Sequence, residues 1–390
     1  MAGPLSSLKV LDFSTLLPGP FASMVLADLG ADVVRVESAT RGDPVQFLPP
    51  STRNKVSAAH ATINRSKRSI AVDLKKEEGR DVVKALVRDF DIVLEQFRPG
   101  VMDRLGVGYE DLKKINPSLI YCSITGYGQT GPYKDRAGHD INYLAMAGAS
   151  GYTGRKNQGP TPFSLQVADI AGGSFHSVMG ILAAVIHRQQ TGEGQYIDIS
   201  MTDATFSMHA LTAPGFLSDG AAYEPDYEGT ILNGGHYYDY YPTKDGRYLS
   251  VGSLEPQFFS QFIAAAGLSD IMGKGDIQEQ KVKIREVFAS KTFAEWNAIF
   301  IKLDACVEPV LKLSEVVKHP HMQAREMLTD VPDGQGGTFR QIASAFKFSN
   351  SKPEYKFAGV PAGTHTDELL KAAGMDEARI ATLRSQKVIA

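Results

Sequence analysis

Apolar residues along the chain fall into short continuous runs separated by longer segments with helical spacing. KVLDF (9–13) reads as a strand, STLLPGP turns the chain, FASMVLADLG (21–30) has helical periodicity, and DVVRVES (32–38) is a second strand. SIAVDL (69–74), KKEEGRDVVKALVRDF (75–90) and DIVLEQF (91–97) repeat the pattern, and SLIYCSITGYG (118–128) adds another strand. Strands alternating with helices predict a parallel sheet with helices on its faces. A long apolar helix follows at about 170–190, and the turn TGEGQ leads to the strand YIDIS (196–200).

Periodicity then lapses. Residues 211–235, rich in Gly, Pro, Asp and Tyr, read as a linker after a large domain over 1–210. YYDYYPTKDGRYLSVGS (237–253) is a hairpin turning at Lys244-Asp245-Gly246, and helical text continues to about 330. Residues 236–325 are expected to form a smaller α+β domain. PDGQGG (332–337) marks a return through residues 326–390 to the large domain, closed by two short helices at about 366–373 and 376–386.

The chain has 390 residues, 43% of them hydrophobic, and a formal net charge of −3. That balance offers no electrostatic footprint for nucleic acid. The two cysteines, Cys122 and Cys306, lie far apart and make neither a disulfide framework nor a metal-ligand spacing, as expected in a reducing compartment. No basic segment followed by a long apolar run opens the sequence, and no window is expected to reach the ~18 apolar residues of a membrane span. The expected location is the cytoplasm, without a membrane partner. The sheet carries no G-x-G-x-x-G, no phosphate-binding G-x-x-x-x-G-K-[ST] and no G-x-S-x-G, which argues against NAD, ATP or α/β-hydrolase chemistry.

A few polar residues need a reason. His139 and Asp140 stand side by side before an apolar stretch, where Asp140 fits a helix cap and His139 fits a loop–helix junction. Asp169 sits where an apolar run meets the long helix, with Gly172 and Gly173 in its first turn. Glycines there cost helix stability but let something approach the backbone, and free N–H groups at a helix start attract anions. A carboxylate at such an end is expected to be ionised and able to act as base or nucleophile. Glu255 ends a strand before Pro256, a capping position. Arg35 lies inside an apolar strand, where a charge must be paired, whereas NRSKRS (64–69) and FRPG (97–100) sit at strand edges, where ligand loops of open α/β sheets lie. His176 is expected on a core-facing helix side, and His319 and His321 lack further ligand spacing, so no metal site is expected.

Seven segments occur in order: LKVLDFSTLLPGPFASMVLADLGADVVRVE, NRSKRSIAVDLK, FRPGVMDRLGVGYEDL, GYGQTGPY, GHDINYLA, VADIAGG and VGSLEPQFF. Together they resemble the family III CoA-transferase superfamily, and most closely its α-methylacyl-CoA racemase branch. The resemblance runs from about residue 5 to AGTHTDELL near 362–370. It implies a Rossmann-like large domain and a small domain joined by long linkers around 200–235 and 326–345, in an interlocked homodimer. The substrate implied is an acyl-CoA thioester, with CoA part of the substrate and no separate cofactor. Asp169 matches an aspartate shared by both branches: nucleophile in transferases, acid/base in racemases. His139 matches the second base of racemases, and Glu255 the residue that orients it. Arg35 and Arg98, with Arg65, Lys67, Lys134 and Arg136, are the implied contacts to CoA phosphates. Met146, Met179, Met201 and Met208 fit either an acyl pocket or ordinary core. The alternatives are a CoA-transferase using Asp169 alone and a non-catalytic acyl-CoA-binding protein, which would need none of the His/Asp/Glu set.

Overall fold

Six short strands pair side by side, all parallel: β1 (Lys9–Asp12), β2 (Asp32–Ser38), β3 (Lys67–Val72), β4 (Ile92–Glu95), β5 (Ile120–Thr125) and β6 (Tyr196–Ser200), in the order β3-β2-β1-β4-β5-β6. The computed structural model describes residues 3–219, 227–235, 237–269 and 276–390. Helices cover both faces of the sheet, so the strands are apolar almost throughout instead of alternating. On one face Leu11, Val34, Val36, Ile70 and Val93 meet Val82, Val83 and Leu86 of helix Glu77–Leu86 and Leu369, Leu370, Ile380 and Leu383 of the last two helices. On the other, Val10, Val33, Leu94, Ile120 and Ile124 meet helix Pro18–Asp28 and the long helix through Val178, Ile181, Ala184 and Val185.

The chain divides into a large unit, Met1–Ala147, Phe163–Met208 and Gln323–Ala390, and a second unit, Gly148–Pro162 and His209–Met322. The expected small α+β domain is there: β7 (Asp239–Pro242), β8 (Tyr248–Val251) and β9 (Val307–Pro309) form an antiparallel sheet. Its core is aromatic: Phe288 and Phe300 each meet the rings of Phe262 and Trp296 and one another. Two boundaries differ from the sequence reading. Residues 148–162, expected in the large domain, cluster with the second unit, where Arg155 pairs with Asp239 and Glu228. The segment read as an extended linker at 326–345 is an antiparallel hairpin, β10 (Leu328–Pro332) and β11 (Thr338–Ile342), turning at the PDGQGG stretch. Part of the expected linker at 211–235 is also ordered, as helix Ala213–Asp219 and a turn at Ile231–Asn233; residues 220–226 lie outside the described residues.

The long apolar helix begins with a widened π-helical turn, Ala168–Phe175, and continues as an α-helix over His176–Thr191. Contrary to the expectation for such windows, Ala168–Thr191 is long and apolar enough to cross a membrane by length and composition alone. Its inner side packs on the sheet through Val178, Ile181, Ala184 and Val185. Gly172 and Gly173 do permit a close approach, but of the protein's own chain. A Cβ at Gly172 would stand 2.9 Å from the Met201 carbonyl oxygen, and one at Gly173 would stand 3.1 Å from the Met201 side chain and from Pro18. Gly172→Ala is therefore expected to lower stability by about 1–3 kcal/mol through overpacking against backbone, measured as a drop in the midpoint of urea unfolding.

Candidate active site

β5 ends at Thr125, and the loop after it carries GYGQTGPYKDRAGH before helix Asp140–Met146 begins. Small residues keep this loop close to the helix: Gly126 and Gly138 both lie against the Tyr143 ring, with room for no Cβ at either position. The Tyr143 hydroxyl donates to the Gly138 carbonyl at 2.5 Å, and Tyr127 packs edge-on against Tyr143 at 5.3 Å. His139, exposed, occupies the cap position of the helix, and its N–H donates to Asn142 Oδ1 at 3.0 Å. Asp140, read from sequence as the cap, is the first helical residue instead. Its carboxylate reaches another element: the Asp169 N–H donates to Asp140 Oδ1 at 3.0 Å.

Asp169 is thus joined to His139 through one hydrogen bond and one peptide link. Its carboxyl is half-buried in the widened turn. Burial first, and the neighbouring Asp140 charge second, push its pKa up to about 7. This overturns the expectation of a low, ionised carboxylate at a free helix end. The amides there are already engaged, that of Asp169 by Asp140 and that of Ile170 by the Gln166 carbonyl. His176, expected in the core, is half-exposed with Nδ1 2.7 Å from the Ala171 carbonyl. Met201 is buried, whereas Met146, Met179 and Met208 are exposed. Glu255 precedes helix Pro256–Ala266 in the second unit, exposed and making no side-chain capping bond.

The basic candidates separate into three groups. Arg65 and Lys67 are turned inward. Arg65 makes a two-pronged bond to Asp28 at 2.8 and 2.6 Å and donates to the Ile342 carbonyl, and Lys67 donates to the Pro20 carbonyl and Asn64, 3.7 Å from Asp12. Full burial pulls the Lys67 amine down to about 7 against the opposing pull of Asp12. Arg35 and Arg98 reach cavities, but different ones. Arg35 pairs with Asp43 at 3.0 Å, its Nη1 lies 3.3 Å from Glu37, and its buried Nε and Nη1 have no hydrogen-bond partner. It lines a cavity of about 530 Å³ with Phe13, Leu16, Arg41, Lys75 and Phe97. Arg98 borders a cavity of about 230 Å³ with Glu95, Tyr121 and Tyr196. Lys134 and Arg136 are exposed in the loop before His139, Arg136 lying 4.4 Å over the Tyr133 ring.

In the strand order seen here, β1 and β4 are neighbours whose onward connections leave in opposite directions, and ligands of open α/β sheets bind beyond the carboxyl ends of the strands at that point. The larger cavity is at this place, since Phe13 follows β1 and Phe97 follows β4. Sequence reading passed over Arg41 and Lys75, which sit in loops just after β2 and β3. The signal available was the RGDP turn beyond a predicted strand. Among the described residues, no group of three or more His, Cys, Asp or Glu is arranged to hold a metal.

The sequence signature of CoA-transferase family III matches residues 5–366. The chain belongs to that family. Similarity to curated members extends over nearly the whole length. It is 38% identical to the human α-methylacyl-CoA racemase, covering 99% of this chain and 97% of the relative. It is 34% identical to the succinate–glutarate CoA-transferase of Agrobacterium fabrum, covering 94% and 95%. A solved CAIB/BAIF family protein from Brucella suis superposes with a TM-score of 0.84 at 29% identity over 96% of this chain and 100% of that one. A family III member with these relatives is an enzyme, and its substrates are of the acyl-CoA class.

The internal pairing of Arg65 makes a direct expectation for this family III enzyme. Arg65→Ala strips Asp28 of its partner inside the protein, which costs about 3–5 kcal/mol. Urea unfolding is expected to register that loss, while the affinity of the folded fraction for an acyl-CoA, read by calorimetry, stays within about twofold of the parent.

Proposed function

We propose that the protein is an α-methylacyl-CoA racemase, exchanging the C2 proton of 2-methylacyl-CoA thioesters between the two faces of that carbon. The observation that carries this reading is an Asp169 carboxyl held near neutrality whose N–H bonds Asp140, the residue next to His139. A thioester acidifies its α-proton because the enolate formed spreads its charge onto the carbonyl oxygen. Inversion needs one base to take the proton from one face and one acid to return a proton to the other. An aspartate titrating near 7 is present in both forms at neutral pH and serves either part. Ionised Asp169 with a protonated imidazole at His139 serves one direction, and protonated Asp169 with a neutral imidazole serves the other. Each cycle leaves one proton on the pair, with no electron transferred and no group carried. The racemase reading gives Glu255 the part of orienting His139.

The 530 Å³ cavity supports the placement of the CoA nucleotide, with Arg41 and Lys75 joining Arg35 as its cations and Phe13, Leu16 and Phe97 as apolar walls. Arg98, Lys134 and Arg136 remain phosphate candidates on the strength of the resemblance. Exposed apolar side chains of the large unit, Phe163, Leu165, Met179 and Ile186, support a homodimer in which a second copy covers them. The competing reading is a CoA-transferase in which Asp169 attacks the thioester as a nucleophile. A relative named as a succinate–glutarate CoA-transferase at 34% identity favours it, but it gives His139 no part.

Incubation with one 2-methylacyl-CoA epimer in deuterated water, with no second acid present, separates the two. The racemase washes deuterium into C2 and yields both epimers; a transferase does neither, and moves CoA only once a second acid is added. His139→Ala and Asp169→Ala are each expected to lower epimer formation at least about a hundredfold. Acyl transfer that survives His139→Ala and ends with Asp169→Ala would reverse the assignment. Arg41→Ala is expected to weaken CoA-ester binding by about one to two orders of magnitude, read as KM and as CoA affinity, with kcat little changed.

A further inference from the structure

Asp140 is the polar group at this site with no part in the chemistry just described. It does not cap its own helix: His139 holds the cap position, and the carbonyl of the Asn142 side chain accepts the His139 N–H. Its carboxylate instead accepts the Asp169 N–H, 29 residues away along the chain and on a different helix. A carboxylate is a stronger acceptor than a neutral amide, so this contact pins the main chain of the widened turn at the residue that carries the reacting carboxyl. The same contact brings a second negative charge beside Asp169. Two carboxylates that share a half-buried site cannot both ionise freely.

We propose that Asp140 is a positioning residue for the proton exchange: its carboxylate holds the Asp169 main chain against the start of the helix that follows His139 and sets a second negative charge beside the reacting carboxyl. The inference rests on the racemase reading for its catalytic meaning, and on the geometry alone for its effect on Asp169. Elements packed against the turn carry other charged or titratable groups: Tyr143 on the helix of Asp140, Asp203 on helix Met201–Ser207, Asp28 on helix Pro18–Asp28, Asp198 on β6, and His176 where the long helix continues. Asp28 is bound to Arg65, Asp198 accepts from the Gln129 N–H, and His176 faces the Ala171 carbonyl. Tyr143 feels the charge of Asp169 but is itself held neutral by burial. Of these groups Asp140 is the one bonded to the Asp169 main chain, and its charge acts in the direction that retains the proton.

The consequence for catalysis lies in the two forms of Asp169. A carboxyl at the ordinary value near 4 would be almost wholly ionised at neutral pH. One raised to about 7 is present in both forms. The equilibrium between the epimers is fixed by the substrates, so losing this balance slows both directions by the same factor.

Asp140→Asn keeps an oxygen acceptor of the same reach and removes the charge. Its test is the titration of Asp169 in protein carrying carboxyl-labelled aspartate, followed by carbon NMR, with Asp169→Asn identifying the resonance. The midpoint is expected to fall by at least about one pH unit in Asp140→Asn, and the acid limb of the epimerisation profile to move down with it. Asp140→Ser, a shorter neutral acceptor, is measured alongside in case the first variant does not fold. Asp140→Ala is expected to lose more kcat than Asp140→Asn at unchanged KM, since it leaves the Asp169 amide unpaired. An Asp169 midpoint that stays put in the neutral variants overturns the proposal. A parent protein that exchanges no deuterium at C2 defeats the racemase reading instead, and the NMR titration still decides the effect of Asp140 on Asp169.

Discussion

Parallel pairing governs this molecule. Each parallel neighbour can be reached only by a crossover, so all six strands deliver their carboxyl ends to one edge of the sheet and every following loop emerges there. The RGDP loop after β2, the Lys75 loop after β3, the Phe97-Arg98 segment after β4 and the loop ending in His139 all leave from that edge. The neighbouring of β1 and β4 then opens the crevice between loops that turn away from one another. Side chains far apart in sequence become neighbours because their strands are.

Within that frame, the site is held by interactions between helix starts. The helix beginning at Asp140 and the widened turn at Ala168–Phe175 are tied by one amide-to-carboxylate bond, while Tyr143 and its two flanking glycines fix the loop from the other side. The close packing of Gly172 and Gly173 on Met201 and Pro18 leaves that turn little freedom to shift. A π-helical turn carries an extra residue relative to an α-helix, and such turns cluster at functional positions.

Much of the architecture is legible because a sheet covered on both faces needs continuous apolar strands, and these alternate with segments of helical spacing. β10 and β11 escaped notice because Val331 is the only fully buried apolar side chain on β10, so neither strand shows a convincing apolar pattern. Residues 148–162 belong with the second unit, where Arg155 meets Asp239 across 84 positions, a pairing that periodicity does not encode. At the site, the residue types were readable and the partners were not. Arg65 and Lys67 have the composition of a phosphate loop, and only the fold brings Asp28 and Asp12 to them. Asp140 presents the sequence of a cap, and only the approach of a helix 29 residues later converts it into a clasp.

The large unit is assembled from three separated stretches of chain, and the last of them fastens the first. Ser66 N–H reaches the Phe357 carbonyl, His60 faces the Val360 carbonyl, His365 N–H reaches the Ser69 carbonyl, and Arg65 reaches Ile342. On a ribosome working at about 5–20 residues per second, residues 323–390 trail the strand they secure by roughly 15 seconds to a minute. Throughout that interval the Arg65 guanidinium and the main chain around β3 stand without their final partners. The nascent protein therefore passes through a waiting state, an interval in which this unit is open to the speed of translation and to chaperones.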